Sequence, residues 1–409
     1  MFSLLFFNQT IKFSLKKKIN LDYISMATNQ YIDKILQRIT ENTNTMSHVG
    51  IIIASPSEDP PYKYHWIRDS ALVMRTFIDM YAKTKESLYF QYIMNYLENE
   101  SKIQGLETIT GLGEPKYNIN CTAFDGDWGR PQNDGPALRG IMLYKIIELF
   151  QYKYDTIINQ LILPILTKDL EYIMDNYNKV SYDLWEESKG WHFYTRMVQL
   201  KFLKDSFKQY KLLREIIDFE KLKVCIEKLS NNLKDHICDN HIISSFNEKG
   251  TIIKYHDAAN LLAYCHIDYD EDILKTVPLE YIHVTCDKLI EFFRKKYDHD
   301  ELNLIGRYPE DKYYNGHAWI ICSLALGQVY LELYKKRNIV NYDKPMHRSK
   351  SNPNNNYIEI ANGILERVLT LDPNLILPEQ FNPITNEFLS AKKLTWNYSE
   401  LYQLYNLLN

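Results

Sequence analysis

Apolar side chains recur at every third or fourth position along most of this 409-residue chain. The segment GHAWIICSLALGQVYLELYKK (316–336) has this spacing and carries lysines in its last turn, which favours a helix C-terminus. The segment NDGPALRGIMLYKIIELF (133–150) begins with Asp134 as a candidate N-cap and Pro136 in the first turn. No stretch alternates with a period of two between hairpin turns, so the pattern predicts an all-α protein.

The predicted helices are separated by short joins in some places and by long loops in others. The long loops are aromatic and charged, and long ordered loops inside a domain usually build functional sites. Paired helices that alternate with such loops would fit two helical rings, one inside the other. The predicted helices are 30–43, 66–84, 87–100, 134–151, 155–177, 190–205, 218–235, 256–266, 278–294, 316–337, 356–370 and 394–407. The long loops are 44–65, 101–133, 178–190, 295–315 and 371–393.

Bulk properties exclude several classes of protein. The net charge is only −4, so the chain lacks the basic character of a nucleic-acid-binding protein. The six cysteines form no C-x-x-C pair and the histidines form no H-E-x-x-H, so we predict reduced thiols and no metal site. The N-terminus is a poor signal peptide, and no run of about 18 apolar residues could span a membrane. We therefore predict a cytoplasmic protein.

The domain organisation is predicted to be simple. No linker rich in Ser, Thr or Pro interrupts residues 26–409, so we predict a single domain there. Residues 1–25 precede Met26 as an N-terminal extension, or as the product of a misassigned start. We expect a monomer.

The segment DLWEESKGWHFYT (183–195) places Glu186 and Glu187 side by side directly after Trp185. The simpler interpretation is a solvated loop, because adjacent like charges cost energy unless water screens them. The alternative is a catalytic carboxylic acid whose pKa is raised by an apolar wall and a neighbouring charge. This segment alone leaves both interpretations open.

Four other loops combine aromatic rings with acidic residues, and the first three of them also carry Arg. They are SPSEDPPYKYHWIRDSAL (55–72), GLGEPKYNINCTAFDGDWGRPQNDGPALR (111–139), GRYPEDKYYNGHAW (306–319) and LPEQFNPITNEFLSAKKLTW (377–396). Each has a structural alternative; Asp69, for example, could simply stabilise the start of a helix through its dipole. Together they suit a sugar, because hydroxyls need bidentate polar partners and C–H faces need aromatic surface. Glycosidic cleavage also requires two carboxylates.

These motifs, in this order, resemble those of the glucoamylases, the enzymes of glycoside hydrolase family 15. The resemblance covers nearly all of 50–399 and implies an (α/α)₆ barrel that releases β-D-glucose, with inversion, from the non-reducing α-1,4-linked ends of maltooligosaccharides, starch or glycogen. It implies that Glu186 is the general acid and Glu379 the general base, with Arg68 and Asp69 holding the terminal glucose. It implies no cofactor. The other residues that match substrate-binding positions are Tyr62, Trp66, Trp128, Leu184, Trp185, Glu187, Arg307, Tyr313, Trp319 and Ser390.

Other activities stay open at this level. Related members of the family cleave trehalose or α-1,6-linked glucans, and a related domain in phosphorylase kinase regulatory subunits is not hydrolytic. The presence of both Glu186 and Glu379 argues against a purely glycan-binding protein, which needs neither acid nor base. The chain departs from the family at His317-Ala318, where the family usually has Asn-Pro, and this difference concerns the outer rim of the site rather than the chemistry.

Overall fold

The computed structural model describes residues 30–44, 49–239, 241–341 and 355–409. The predicted extension at 1–25 lies outside these ranges, and the predicted domain boundaries stay predictions. The main helices are α1 (30–41), α2 (Ile67–Thr84), α3 (Ser87–Ile103), α4 (Gly135–Phe150), α5 (Leu163–Asn176), α6 (Phe193–Lys208), α7 (Phe219–Lys234), α8 (Ala259–His266), α9 (Ile282–Tyr297), α10 (Ile320–Asn341), α11 (Asn355–Leu369) and α12 (Thr395–Leu408). Shorter helical turns lie at Gly111–Gly113, Asp155–Ile157, Ile158–Ile162, Tyr210–Leu213, Glu271–Leu274, Leu279–Tyr281 and Tyr313–Gly316.

The even-numbered helices form a closed inner ring. Each of them packs on the next one in chain order, and α12 packs back on α2. The helices α3, α5, α7, α9 and α11 lie outside and pack against α2, α4, α6, α8 and α10 respectively. The chain thus alternates between two rings, which is the predicted (α/α)₆ barrel.

The burial of each ring explains its sequence pattern. In the inner helix α4, 13 of 16 residues are buried, so this helix has mainly apolar side chains on every side. In the outer helix α7 only Leu222, Cys225, Leu229 and Leu233 are buried, spaced as one apolar stripe. The all-round apolar helices therefore occupy the inside of the barrel, and the amphipathic helices cover them.

Short strands occupy the loops that lead into the inner helices. They are β1 (His65–Trp66), β2 (Lys116–Tyr117), β3 (Ser181–Tyr182), β4 (Lys189–His192), β5 (Ile237–Cys238), β6 (His241–Ile242), β7 (Ser245–Phe246), β8 (Ile252–Lys254), β9 (Ala318–Trp319), β10 (Pro378–Phe381) and β11 (Phe388–Lys392). They form antiparallel sheets in the orders β1-β2, β3-β4-β7-β8, β5-β6 and β11-β10-β9. Because an outer helix returns the chain after each inner helix, these loops gather at one end of the barrel.

Two helical glycines provide a matched test of the packing between inner helices. A Cβ on Gly140 of α4 would lie 2.2 Å from the ring of Phe202 in α6, whereas a Cβ on the exposed Gly363 of α11 meets nothing within 4 Å. We expect Gly140→Ala to lower the free energy of unfolding by roughly 1–3 kcal/mol through overpacking. Gly363→Ala should raise it by about 0.5–1 kcal/mol through helix propensity. Urea unfolding of both variants tests this, and equal shifts would contradict close α4–α6 packing.

Candidate active site

Five of the loops at this end of the barrel line one cavity of about 350 Å³. That volume is at the small end of the range for ligand pockets, roughly 300–1,000 Å³. The predicted site residues that line it are Tyr62, Trp66, Arg68, Asp69, Trp128, Leu184, Trp185, Glu186, Glu187, Arg307, Tyr313, Trp319 and Glu379. Ser390 does not line the cavity but lies behind Glu379 and donates a hydrogen bond to it. The structure therefore brings the predicted residues into one place.

Glu186 is held by donors from two other loops. Its Oε1 accepts hydrogen bonds from the indole of Trp66 (2.6 Å) and the amide of Gln132 (2.9 Å). Its Oε2 accepts from the indole of Trp128 (2.8 Å), and the guanidinium of Arg68 lies 3.4 Å from Oε1. The backbone of Glu186 has φ = +67°, a left-handed conformation that is costly for a residue with a side chain. The hydrogen bonds therefore fix the carboxyl group in the cavity and help to maintain the strained backbone that presents it.

Asp183 builds the turn that presents the two glutamates. Its carboxylate accepts the backbone N–H groups of Glu187 (2.8 Å) and Ser188 (3.0 Å), and its carbonyl accepts that of Glu186 (2.9 Å). Burial disfavours the charge of Asp183. The Lys254 ammonium, 2.7 Å away, and other partners outweigh this effect of burial and hold the pKa of Asp183 below its usual value. The turn is thus organised around a buried ion pair.

Glu187 points to a different set of partners from Glu186. Its Oε1 accepts from the Arg307 guanidinium at 2.6 Å, and its Oε2 accepts from the Tyr308 hydroxyl and lies 3.4 Å from the Lys254 ammonium. Arg307 is itself held by Asp311 through two hydrogen bonds of 2.8 and 2.6 Å. The adjacent glutamates therefore do not share an environment, and Glu187 belongs to a charged network on the cavity wall.

Glu379 lies on β10 at an irregularity in its pairing with β11. The register shifts between Pro378 and Gln380, and such bulges re-aim side chains beside active sites. The Ser390 hydroxyl of β11 donates to its carboxylate, from a backbone with φ = +59°. Burial raises the pKa of Glu379 to about 7, although the Ser390 hydrogen bond and the charge of Arg307 lower it.

A chain of hydroxyls extends from Glu379 across the cavity. The Ser390 hydroxyl lies 3.0 Å from that of Tyr313, which lies 3.1 Å from that of Tyr62. Burial raises the pKa of Tyr62 well above its usual value, and the charges of both Glu379 and Glu186 contribute. The Tyr62 hydroxyl therefore lies within electrostatic range of both carboxyl groups.

Arg68 and Asp69 begin α2 and face the same cavity. The Arg68 guanidinium donates to Gln132 (2.9 Å) and Asp134 (3.0 Å), and its Nε lies 3.5 Å from the Asp69 carboxylate. Burial raises the pKa of Asp69 to about 6, although the charge of Arg68 opposes this. Asp69 is thus a buried carboxylate that has a cation beside it and an open cavity in front.

The sixth loop, which leads into α8, contains residues that the sequence analysis missed. The Trp185 indole donates to both carboxylate oxygens of Asp257, at 2.9 and 3.1 Å. Lys254 joins the Glu187 network from the same loop. The tryptophans that hold the Glu186 carboxyl are consequently Trp66 and Trp128, rather than its sequence neighbour Trp185.

Two further observations concern the described part of the chain as a whole. Within it, no three His, Cys, Asp or Glu side chains lie together in a way that could hold a metal ion. No helix there is long and apolar enough to cross a membrane. The predicted cytoplasmic location and monomeric state stay predictions.

Comparison with known proteins agrees with this architecture. Residues 26–406 match the family model for Glycosyl hydrolases family 15. The chain is 30% identical over 391 residues to a probable glucoamylase of Schizosaccharomyces pombe, covering 86% of this chain and 83% of that protein. It is 29% identical over 391 residues to Glucoamylase-1 of Arthroderma benhamiae, covering 86% of this chain and 63% of that protein. The structure matches the glucoamylase of Saccharomycopsis fibuligera with a TM-score of 0.81 at 23% identity, over 94% of this chain and 95% of that one.

Each of these comparisons supports a different statement. The likeness to the Saccharomycopsis fibuligera structure confirms the predicted (α/α)₆ fold. Because the sequence identity is only 23%, this likeness supports the fold and nothing further. The chain spans less than two thirds of the length of Arthroderma Glucoamylase-1 but more than four fifths of the Schizosaccharomyces protein. The family match extends over nearly the whole chain and confirms the resemblance seen in the motifs. The chain therefore belongs to glycosyl hydrolase family 15, a family of glycoside hydrolases.

Proposed function

We propose that this protein hydrolyses terminal, non-reducing α-1,4-linked glucose units from maltooligosaccharides, starch or glycogen and releases β-D-glucose. Glu186 is the general acid and Glu379 the general base. The observation that carries the proposal is that these two carboxyl groups, from loops almost 200 residues apart, line the same cavity and are held by separate sets of partners. Family 15 relatives named as glucoamylases support the choice of an α-glucan.

The two carboxyl groups have separate tasks in this mechanism. Glu186 protonates the oxygen of the leaving sugar, while Glu379 removes a proton from a water molecule on the opposite face of the ring. Inversion needs room for that water, which corresponds to carboxyl groups roughly 6.5–9.5 Å apart.

The remaining polar side chains of the cavity bind sugar hydroxyls. Arg68 and Asp69 are proposed to hold the terminal glucose by charge-assisted hydrogen bonds. Glu187 and Arg307 are proposed to bind the adjoining unit. The rings of Trp128, Trp185 and Trp319, with Leu184, Tyr62, Trp66 and Tyr313, supply the apolar surface that sugar C–H groups require.

A closed floor supports attack at chain ends only. Trp396 lines the cavity, and its indole donates to Glu400, a fully buried residue of α12. Glu400 also accepts from Arg75 (2.5 Å), Gln328 (2.9 Å) and His266 (3.1 Å), so four inner helices join in filling the barrel axis. A glucan can therefore enter this cavity from one side only, and a terminal unit reaches the carboxylates first.

Products from a panel of sugars test this proposal. Maltotetraose is expected to lose one glucose at a time, and maltose to be cleaved faster than isomaltose or trehalose. In proton NMR, β-glucose should appear first, with the α form arising only by mutarotation. Early release of maltose would contradict the closed cavity, and initial α-glucose would mean that Glu379 acts as a nucleophile. A preference for isomaltose or trehalose, or no turnover, would favour the other activities considered for this fold.

The raised pKa of Glu379 leads to a pH prediction. A general base must be ionised, so kcat/KM is expected to fall tenfold per pH unit below about pH 7, the pKa of Glu379. Ser390→Ala removes a hydrogen bond that favours the carboxylate, so this acidic limb should move upward by roughly one to two pH units. Ser57→Ala is the control, because the Ser57 hydroxyl is only partly buried and bonds only to its own loop. A shift of the alkaline limb instead would make Glu379 the acid and reverse the two roles.

A further inference from the structure

Lys116 is a buried cation that the proposed mechanism does not use. It belongs to the GEPKYN segment and lies on β2, where its backbone pairs directly with Trp66 of β1. Only 1% of the residue is exposed. Burying an ammonium group costs free energy unless it is well compensated, so its presence calls for a physical reason.

Four aromatic rings surround the Lys116 ammonium. Its Nζ lies 3.1 Å from the ring centre of Trp128 and 4.6 Å from that of Trp66. The rings of Phe124 (4.3 Å) and Tyr64 (4.5 Å) complete the cage. Cations are attracted to such ring faces, most strongly to tryptophan and when water is excluded. Burial nevertheless lowers the pKa of Lys116 to about 8, with the charge of Glu186 as the main opposing influence.

Two of these rings also hold the Glu186 carboxyl group. The indoles of Trp66 and Trp128 donate to its two different oxygens, Oε1 and Oε2. The same indoles therefore have the carboxylate at their N–H edges and the ammonium at their faces. A rotation that turned the face of either ring away from the ammonium would also move its N–H group away from the carboxyl oxygen.

We propose that Lys116 is a positioning residue for Glu186: by fixing the faces of Trp66 and Trp128, it keeps their N–H groups aimed at the two carboxyl oxygens. This inference rests on the proposed role of Glu186 as general acid. Proton transfer depends steeply on geometry, because donor and acceptor must be within hydrogen-bond distance in the transition state. Lys116 does not line the cavity, so it acts through the two indoles and makes no contact with the substrate.

The test compares substrates that differ in their need for an acid. Lys116→Met keeps the unbranched shape and most of the length of the side chain and removes the charge, and methionine packs well against rings. We expect kcat for maltose to fall about 10–100-fold, with KM changed less than about twofold. Hydrolysis of α-D-glucosyl fluoride should change less than about threefold, because fluoride departs with its electron pair and needs little protonation. Lys63→Met, at an exposed lysine of the neighbouring loop, is the control.

Several outcomes would overturn this role for Lys116. Equal losses on maltose and on the fluoride would mean that Lys116 only supports the fold, and unchanged maltose turnover would remove it from the mechanism. In the Glu186→Gln background, Lys116→Met should cause no further loss of kcat for maltose. An undiminished loss in that background would show that Lys116 acts elsewhere than through Glu186. The proposed function is judged separately: if Glu186→Gln alone loses the fluoride reaction as well, the acid assignment fails whatever Lys116 does.

Discussion

Glutamine in place of Glu186 or Glu379 is expected to lower kcat for maltose by about 10³-fold or more. An amide matches the shape of the carboxyl group but neither delivers nor accepts the proton that each step requires. At each site the amide oxygen can still accept hydrogen bonds, and at Glu186 the amide NH₂ loses only the bond from one indole, so the fold and the affinity for sugar should change little. Stopped assays of glucose release, with circular dichroism and binding of glucose as controls for folding, measure the effect.

The two variants should fail in different ways. Glu186→Gln is expected to keep most of its activity on α-D-glucosyl fluoride, which needs no acid, whereas Glu379→Gln should lose it because water still lacks a base. Azide needs no base, so added azide should restore turnover of the fluoride by Glu379→Ala and give β-glucosyl azide. Normal fluoride hydrolysis by Glu379→Gln would show that this residue is not the base.

The helical architecture could be predicted because each ring leaves a strong pattern in the sequence. The outer helix predicted at 218–235 is found at Phe219–Lys234, with its apolar stripe facing the barrel. The strands could not be predicted in the same way. Each is only two to five residues long and pairs within a loop, which is too short for alternation to appear.

The residues of the candidate site could be predicted from the sequence motifs, but the contacts between them could not. Each of the five motifs combines aromatic rings with acidic residues, three of them add Arg, and the structure gathers these loops at one end. Sequence adjacency suggested Trp185 as the ring beside Glu186, whereas the fold turns Trp185 toward Asp257 and brings in Trp66 and Trp128 from distant loops. No local pattern encodes such long-range pairs.

Asp257 and Lys254 show which signal was available and overlooked. The segment 236–255 separates two predicted helices and leads into an inner helix, as the other five long loops do. Its position in the helix–loop repeat therefore marked it as a sixth site-building loop. Its composition did not, because it lacks the tryptophan that each of the other five motifs contains.

Asp69 is a third position at which a large loss is expected. Asp69→Asn should lower kcat/KM for maltose at least about 100-fold, or roughly 3 kcal/mol of transition-state stabilisation, because a charged acceptor for the terminal sugar is lost. The matched control is Asp127→Ala, an exposed acid on the loop of Trp128, which should leave kcat/KM unchanged. Steady-state kinetics on both variants provide the comparison.

A structural role for Asp69 predicts the opposite pattern in stability. If the carboxylate served only to stabilise the start of α2, Asp69→Asn would lower the melting temperature at pH 7 and leave activity intact. Burial raises the pKa of Asp69 to about 6, above its value in the unfolded chain. Ionisation of Asp69 therefore lowers the free energy of unfolding, and this loss of stability grows as the pH rises from about 4 to about 6. The amide removes the cost, so the melting temperature at pH 7 should not fall, and any gain should vanish near pH 4. Thermal unfolding at both pH values, together with kcat/KM, therefore distinguishes a substrate-binding carboxylate from a helix-stabilising one. A variant that is destabilised but active would support the helix-stabilising role.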